Sequence, residues 1–481
     1  MSESAPRGWP QPPGHLHFLG ICGYAVSGLA LCCKELGYRV SGSDEDAYPP
    51  TTETLAAAGI PFSPHHDPAN LDRWGVPQLV VLGNQVQLGN PELEAAQRRR
   101  LPLLSEAAAY RGLTSNRRRA VVCGTHGKTT TSTLTAFMLE TAGCGPGFRL
   151  GATSRDFTST ARIGDPRDGG PFVFEGDEYT TSALDPRAKF LHWEPHVLTL
   201  LNLELDHPDL YPDLAAYVAP YRELVGGLPR DGRLIYHASD PRSAELAGTS
   251  PAPVESFGVD EGDWTLAEPA ARRSGRMLLQ VRGPGGLELE LTLPAFGAHN
   301  AANGLAALAT AVRLGAEPRA AAAAAAQYRG AARRFEVLGA VDQVTVVDDY
   351  AHHPTKIRAT IAGARQQFGD GLQLAMIHVP HTYSRTKALL SEYRGAFDGL
   401  DVLVLGEIEP ARERHLEGTV SSADVAALVT GLEVVQVTSA TAAIEAVLAR
   451  LHPPAVVVCS SVRGFDDVAG RLLRLLAERS A

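Results

Sequence analysis

The run Gly124-Thr125-His126-Gly127-Lys128-Thr129-Thr130-Thr131 combines the residue types that hold a phosphate chain. Glycines let a backbone curl until its N–H groups and the N-terminus of the next helix face an anion. Lys128 adds a point charge for the β- and γ-phosphates, and Thr129 or Thr130 a hydroxyl for Mg2+. The full phosphate-loop pattern asks for a glycine where Val122 stands, so this is a shortened variant. The chain has only five lysines (Lys34, Lys128, Lys189, Lys356 and Lys387), which sets Lys128 apart from an ordinary surface charge. A second glycine-rich turn, Gly20-Ile21-Cys22-Gly23 through Ser27-Gly28, precedes Ser43-Asp44 at a strand end. It departs from G-x-G-x-x-G, and two readings stand: a diphosphate site with a hydroxyl-binding carboxylate, or a tight turn that binds nothing. Third come Glu175-Gly176-Asp177-Glu178-Tyr179 and Asn202-Leu203-Glu204-Leu205-Asp206-His207-Pro208-Asp209. Carboxylates at strand ends beside a phosphate loop suit Mg2+, and the plain alternative is a pair of solvated acidic loops. His126, His207, His299, His352 and His353 are too scattered for a tetrahedral zinc site.

These residues need strands and helices to place them. An apolar strand from His15 to Leu19, a turn, a helix to about Leu36 and a strand from Tyr38 to Gly42 form a βαβ rhythm, continued by a helix around Thr54 to Ala58 and a strand from Gln78 to Gly83. That rhythm predicts a parallel sheet covered by helices. The polar, basic stretch Arg111 to Arg119 reads as a linker to a second α/β unit, whose first strand is Ala120 to Cys123 and whose phosphate-loop helix runs Ser132 to Thr141. Seven alanines, Ala320 to Ala326, read as a helix because alanine has the best helix propensity. A third α/β unit starts near Gly330, with strands at Val344 to Val347, Leu374 to Ile377, Val402 to Leu405 and Val456 to Cys459. The Pro-rich residues 1–13 are expected to be disordered.

With 481 residues the chain holds two to four domains at roughly 100–200 residues each. The 44 basic and 54 acidic residues give a net charge of −10, the wrong sign for coating a polyanion, so no nucleic-acid partner is expected. Six cysteines without a CxxC pair argue for a reducing cytoplasm. No window approaches the ~20 apolar residues of a membrane span, and the uncharged stretch Phe18 to Cys33 reads as strand, turn and helix rather than as a signal peptide.

Taken together, the motifs resemble the ATP-dependent Mur ligase family, which builds the peptide of bacterial peptidoglycan on a UDP-linked muramic acid. The likeness runs from His15 to about Ala469 and includes His299-Asn300-Ala301-Ala302-Asn303, Arg333-Arg334-Phe335-Glu336 and Asp348-Asp349-Tyr350-Ala351-His352-His353-Pro354. It implies an α/β chain of three domains: a Rossmann-like UDP-binding domain (14–115), a central phosphate-loop ATPase domain (116–329) and a Rossmann-like C-terminal domain for the amino acid or peptide (330–481). It also implies a cytoplasmic monomer or weak homodimer, needing ATP and Mg2+ and no membrane partner.

Two branches of the family compete. Asp177-Glu178-Tyr179-Thr180-Thr181-Ser182 and Asp185-Pro186-Arg187-Ala188-Lys189-Phe190-Leu191-His192-Trp193 resemble the branch that joins L-alanyl-γ-D-glutamyl-meso-diaminopimelate to UDP-N-acetylmuramate, as do Tyr48-Pro49-Pro50 and Pro146-Gly147-Phe148. Pro380-His381-Thr382-Tyr383-Ser384-Arg385-Thr386 looks more like the branch that adds L-alanine, except that Thr382 stands where an arginine would take the alanine carboxylate. The tripeptide is favoured, with L-alanine as the alternative and an idle nucleotide-binding protein as a third possibility. No lysine lies between Lys189 and Lys356 to serve as the carbamylated lysine of other members.

The resemblance assigns Gly20, Cys22, Gly23, Ser27, Gly28, Ser43 and Asp44 to UDP, and Gly124, Thr125, His126, Gly127, Lys128, Thr129 and Thr130 to the ATP phosphates. His299, Asn300 and Asn303 are assigned to adenine, and Arg334 and Asp349 also to the nucleotide. Thr129 or Thr130, Glu175 and His207 are assigned to Mg2+, and His352, His381 and Arg385 to the incoming amine, with His352 or His353 titrating near neutrality as its base. Residues 329–334 are the expected hinge for closure over the site.

Overall fold

A computed structural model of the chain describes residues 9–47, 49, 51–157, 159–165, 169–273, 275–411 and 413–480. Residues 1–8 of the expected disordered segment, and Tyr48 and Pro50, lie outside these. Trp9 to Pro13 do not form a loose leader. The Trp9 indole donates to Tyr38 Oη at 2.7 Å, and Tyr38 Oη donates to the Pro10 carbonyl at 2.8 Å.

The chain has a three-domain α/β fold, divided into two compact units: 1–203 with 218–265 and 305–325, and 204–217 with 266–304 and 326–481. In the first unit, β1 (His15–Leu19), β2 (Arg39–Ser43), β3 (Phe62–Ser63), β4 (Leu79–Leu82) and β5 (Leu103–Ser105) form a parallel sheet ordered β3-β2-β1-β4-β5. Gly20 follows β1 at φ +76°, a conformation that excludes a β-branched residue, and α1 (Tyr24–Glu35) starts after Gly23.

Beneath this sheet lies a buried polar network that no motif announces. His17 bonds Ser41 Oγ through Nδ1 (2.7 Å) and Glu92 Oε1 through Nε2 (2.6 Å), while Asn70 donates to Glu92 Oε2 (3.1 Å). His17 and Glu92 are fully buried. Burial opposes the charge on Glu92, but hydrogen bonds from His17 and His66 outweigh it and bring the carboxyl down to about 2. Because the folded value lies below the unfolded one, this stabilisation is complete above about pH 4.5 and is lost as pH falls toward 2. Glu92→Gln should therefore lose on the order of 3 kcal/mol at neutral pH and show a flatter acid limb than wild type. Denaturation midpoints measured from pH 2 to 6 give the comparison, and parallel limbs in the two proteins would contradict this account.

The central domain continues the first unit with β6 (Arg118–Cys123), β7 (Gly147–Arg149), β8 (Ala161–Arg162), β9 (Pro171–Glu175), β10 (Thr180–Ser182), β11 (Asp185–Ala188), β12 (Val197–Leu200), β13 (Arg233–His237) and β14 (Val254–Phe257). Seven of them form the sheet β14-β13-β12-β6-β9-β7-β8, in which β6 lies between β12 and β9. Pairing of Cys123 with Leu200 and of Val122 with Glu175 brings the carboxyl ends of these three strands together. The expected linker from Arg111 to Arg119 shrinks to 114–117, because Arg111 continues a helix (Glu106–Leu113) and Arg118 already belongs to β6. Arg117 is buried and its guanidinium donates to the Asp165 carbonyl, so its charge marks a packed junction.

In the second unit, Arg276–Gly283 and Leu287–Leu293 form an antiparallel hairpin. Six strands form the C-terminal sheet in the order Glu336–Val341, Val344–Asp349, Ala455–Ser460, Gln373–His378, Val402–Gly406, Val434–Val437, and only the first pair is antiparallel. Apolar clusters cover both of its faces.

Candidate active site

The carboxyl end of β6 delivers the phosphate loop. Gly124 (φ +130°) has no room for a side chain, since a Cβ would lie 2.9 Å from the Asn202 carbonyl. Asn202 holds the loop from the end of β12: its carbonyl accepts from Thr125 N (2.7 Å) and its Oδ1 from His126 N (2.9 Å). Gly127 (φ +84°) caps a helix that starts at Lys128, four residues before the expected Ser132, so Lys128, Thr129 and Thr130 all fall in its first turn. The Lys128 ammonium donates to the Gly124 carbonyl (2.7 Å), the Thr125 carbonyl (3.4 Å) and Glu178 Oε1 (2.9 Å).

Thr129 and Glu175, both assigned to Mg2+, lie in hydrogen-bond contact. Thr129 Oγ1 donates to Glu175 Oε1 at 2.8 Å, while Ser132 Oγ (3.3 Å) and Gly151 N (2.7 Å) donate to Oε2. A Cβ at Gly151 would lie 2.5 Å from the carboxyl carbon, so the carboxylate fills a fitted cradle. A hydroxyl beside a carboxyl group at the loop's helix N-terminus is the oxygen donor set of a hard divalent cation, and Thr129 with Glu175 fits Mg2+. His207 fits it less well. Its Nδ1 receives an N–H from Arg385 at 3.1 Å, and because arginine only donates, that nitrogen is already engaged as an acceptor and is not open to a metal. A guanidinium so close also opposes a second cation.

The glycine-rich turn of the first domain is held from within. Gly20 N and Ile21 N donate to the Ser43 carbonyl, Cys22 N donates to Asp44 Oδ2 (2.7 Å), and Asp46 N to Oδ1 (2.9 Å). Burial and the neighbouring Asp44 push the Cys22 thiol up to about 12, so it remains a neutral wall of the turn. Three expected ligand contacts need correction. The Ser43 hydroxyl is fully buried against His66 Nδ1 (2.8 Å), and Ser27 Oγ donates to the Tyr24 carbonyl (3.1 Å). Gly28 is needed for packing, since a Cβ there would lie 2.7 Å from the Ala161 side chain on β8.

The second unit gathers the residues expected for the amine. Arg385 is 5% exposed and donates through Nε to Asp206 Oδ1 (2.7 Å), through Nη1 to His381 Nδ1 (3.0 Å) and through Nη2 to His207 Nδ1. The rings of His381 and His352 lie 6.0 Å apart, and His352 Nδ1 bonds the Tyr350 carbonyl (2.8 Å). The expectation that His352 titrates near neutrality is corrected: burial, then the cations Lys356 and Arg385, hold it well below its usual value. Burial likewise brings His381 down to about 3. Both rings are neutral at working pH and accept hydrogen bonds without being strong bases. His353 caps the helix Pro354–Phe368 through Nδ1.

His299, Asn300 and Asn303 share the first turns of the helix Ala298–Arg313, where the Asn300 amide donates to the Phe296 carbonyl (2.8 Å). The Arg334 guanidinium stacks on Tyr350 at 4.3 Å, and Asp349, its carboxyl raised by burial, accepts from Phe335 N and Ala351 N. Arg333, inside the expected hinge, is pinned to Asp348, Ser461 and Val462. Asn202, Glu178 and Asp206 lie within the two acidic runs of the sequence but receive no individual role there, because their roles depend on which loops become neighbours.

A phosphate loop with a carboxylate suited to a divalent cation, on the second of three α/β domains along the chain, is the arrangement of a nucleotide-binding enzyme. Residues 15–118, 122–311 and 333–463 match the Mur ligase family catalytic domain, the Mur ligase middle domain and the Mur ligase glutamate ligase domain, respectively. The chain belongs to the Mur ligase family, ATP-dependent ligases that form amide bonds. It is 38% identical to the UDP-N-acetylmuramate--L-alanine ligase of Roseiflexus sp. (strain RS-1), over 85% of this chain and 88% of that protein. It is 35% identical to the UDP-N-acetylmuramate--L-alanyl-gamma-D-glutamyl-meso-2,6-diaminoheptandioate ligase of Escherichia coli (strain K12), over 76% of this chain and 79% of that one. A crystal structure of a murein peptide ligase from Psychrobacter arcticus superposes with a TM-score of 0.71 at 27% identity, covering 96% of this chain and 98% of the other. Among the described residues, no helix is long and apolar enough to cross a membrane.

Proposed function

We propose that the chain joins L-alanyl-γ-D-glutamyl-meso-diaminopimelate, or a close analogue, to UDP-N-acetylmuramate. The observation that carries this reading is at Thr382. It stands where the family resemblance implies a carboxylate-binding arginine, it has φ +61°, and its backbone is engaged with Glu409 and Thr386. Arg385, nearby, is already committed to Asp206. A free α-amino acid depends on a carboxylate clamp beside its amine, whereas the N-terminal residue of a tripeptide has an amide there. The run shared with the tripeptide branch is also an ion-paired unit: Arg187 binds Asp185 (2.6 Å), His192 lies 3.2 Å from the same carboxylate, and Lys189 binds Asp177 (3.2 Å). The alternative, ligation of L-alanine, is favoured by the 38% identity to a relative with that name and by the retained Pro380-His381 and Ser384-Arg385-Thr386.

In either case a carboxylate must be activated before an amine can displace its oxygen. The lactyl carboxylate attacks the γ-phosphate of ATP to give an acyl phosphate and ADP. The amine then adds to the acyl carbon, and the tetrahedral intermediate expels phosphate. Lys128 and the amides of 124–130 neutralise the charge that develops on the phosphates. Thr129 and Glu175 would hold Mg2+, whose charge would add to that of Lys128 and the amides beside those phosphates. The turn from Gly20 to Gly23 with Asp44 takes UDP, His299, Asn300 and Asn303 take adenine, Arg334 and Asp349 serve the nucleotide, and neutral His352, whose Nδ1 donates to the Tyr350 carbonyl, accepts a hydrogen bond from the amine through Nε2, while the Nδ1 of His381 is taken by Arg385.

Steady-state turnover of UDP-N-acetylmuramate and ATP with L-alanine or with the tripeptide decides the substrate. Tripeptide should exceed L-alanine in kcat/KM by at least about tenfold, a difference of ~1.4 kcal/mol. Robust turnover of L-alanine alone assigns the chain to the other branch, and no UDP-N-acetylmuramate-dependent phosphate release with either amine leaves neither reading standing.

A further inference from the structure

Glu178 is a buried charged group of the first unit, beside the phosphate loop, that the chemistry above leaves without a task. It is 2% exposed, and its two oxygens lie 2.9 and 2.8 Å from the Lys128 ammonium. An ammonium has three N–H donors. The carbonyls of Gly124 and Thr125 and the carboxylate of Glu178 therefore engage the full donor set of Lys128. The preceding carboxylate cannot take over this task, because Asp177 is held by Lys189 at 3.2 Å and lies 3.6 Å from Arg149.

Glu178 also has little freedom to leave. Gly176, two residues earlier, sits where a Cβ would lie 2.5 Å from the Cys123 side chain, and its N–H is bonded to the Val122 carbonyl. One residue later, the Tyr179 carbonyl accepts from Lys189 N at 3.0 Å. The backbone on both sides is thus fastened to neighbouring elements, which keeps a negative charge beside the lysine that should receive the phosphates.

We propose that Glu178 is a resident counter-ion and positioning residue for Lys128: it holds the ammonium, competes with the β- and γ-phosphates of ATP for it, and keeps one hydrogen bond to it when they bind. The inference rests on the reading of Lys128 as the ATP-phosphate lysine. It has a sign that a merely structural role lacks. A carboxylate that competes with phosphate weakens ATP binding, yet by fixing the lysine's position it supports phosphoryl transfer. Removing its charge should tighten ATP binding while slowing turnover.

The test uses the full chain, with ATP binding measured by calorimetry in the absence of Mg2+ and kcat measured with Mg2+ present. Glu178→Gln should lower the ATP Kd by about tenfold and lower kcat by a similar factor. Glu178→Asp, which keeps the charge but withdraws it by one methylene, should shift the Kd in the same direction by a smaller factor, and it serves if the Gln variant does not fold. Unchanged or weakened ATP binding in the variant that folds overturns the proposal. Lys128→Ala separates the two levels of the argument. If it binds ATP as wild type does, the ATP-site reading fails. If it loses ATP while Glu178→Gln gains no affinity, only the counter-ion role fails.

Discussion

Lys128→Ala is expected to lower kcat/KM for ATP-dependent ligation by about a hundred- to a thousandfold, the loss seen when one preorganised charge donor is removed from a transition state. The phosphoryl group moves with little covalent help from protein, so the barrier is set by positioning and by neutralising charge on the phosphate oxygens. A net charge of −10 makes that neutralisation local rather than a property of the whole surface. The backbone amides of the loop persist in the variant, and the compact positive charge does not. Lys128→Arg should rescue poorly, because a planar guanidinium does not reproduce the pattern of an ammonium that reaches the Gly124 and Thr125 carbonyls on one side and Glu178 on the other. Phosphate release dependent on UDP-N-acetylmuramate is the readout, and activity within a few-fold of wild type would place the γ-phosphate elsewhere.

The phosphate loop was legible in the sequence because its information is local: glycines that must adopt positive φ, a scarce lysine and hydroxyls, all between an apolar strand and a helix. Buried parallel strands were legible for a similar reason, as short apolar runs between glycines and polar turns, and their ends shifted by a residue or two. The hairpin Arg276–Gly283 and Leu287–Leu293 was missed although Met277, Leu279, Val281, Leu289, Leu291 and Leu293 alternate buried with less buried neighbours. Its period of two interrupts the α/β rhythm of the segments on either side. Other features lay beyond any local pattern. His17 and Glu92 are 75 residues apart, Lys128 and Glu178 are 50 apart, and Asp206 and Arg385 are 179 apart. Such pairs are defined by the juxtaposition of loops, so only the folded chain distinguishes Glu178 from Asp177, or a packing glycine such as Gly28 from a ligand-binding one.

Asp206 carries the second large prediction. Asp206 is 2% exposed and Arg385 5%, and their contact at 2.7 Å ties the segment after β12 to the helix Tyr383–Ala388 within the second unit. Asp206→Ala would leave a guanidinium buried with two imidazoles, and no carboxylate, among the partners described above. Breaking a buried pair from one side costs about 3–5 kcal/mol, because the remaining charge keeps its desolvation penalty without the compensating attraction. For a cooperative unit of this size each kcal/mol moves Tm by roughly 2–4 °C. The calorimetric transition in which the second unit unfolds should therefore fall by about 6–20 °C. Removing both charges is the informative contrast. Asp206→Leu combined with Arg385→Met strands neither ion and should recover much of the stability, since apolar replacement of a buried pair is often neutral. The double variant should nevertheless remain impaired in ligation, because Arg385 organises His207 and His381 through Nη2 and Nη1. If Asp206→Ala melted as wild type does, the carboxylate would be contributing nothing that solvent cannot supply, and Arg385 would be free to move toward a substrate carboxylate. That result would remove the main structural objection to L-alanine as the substrate.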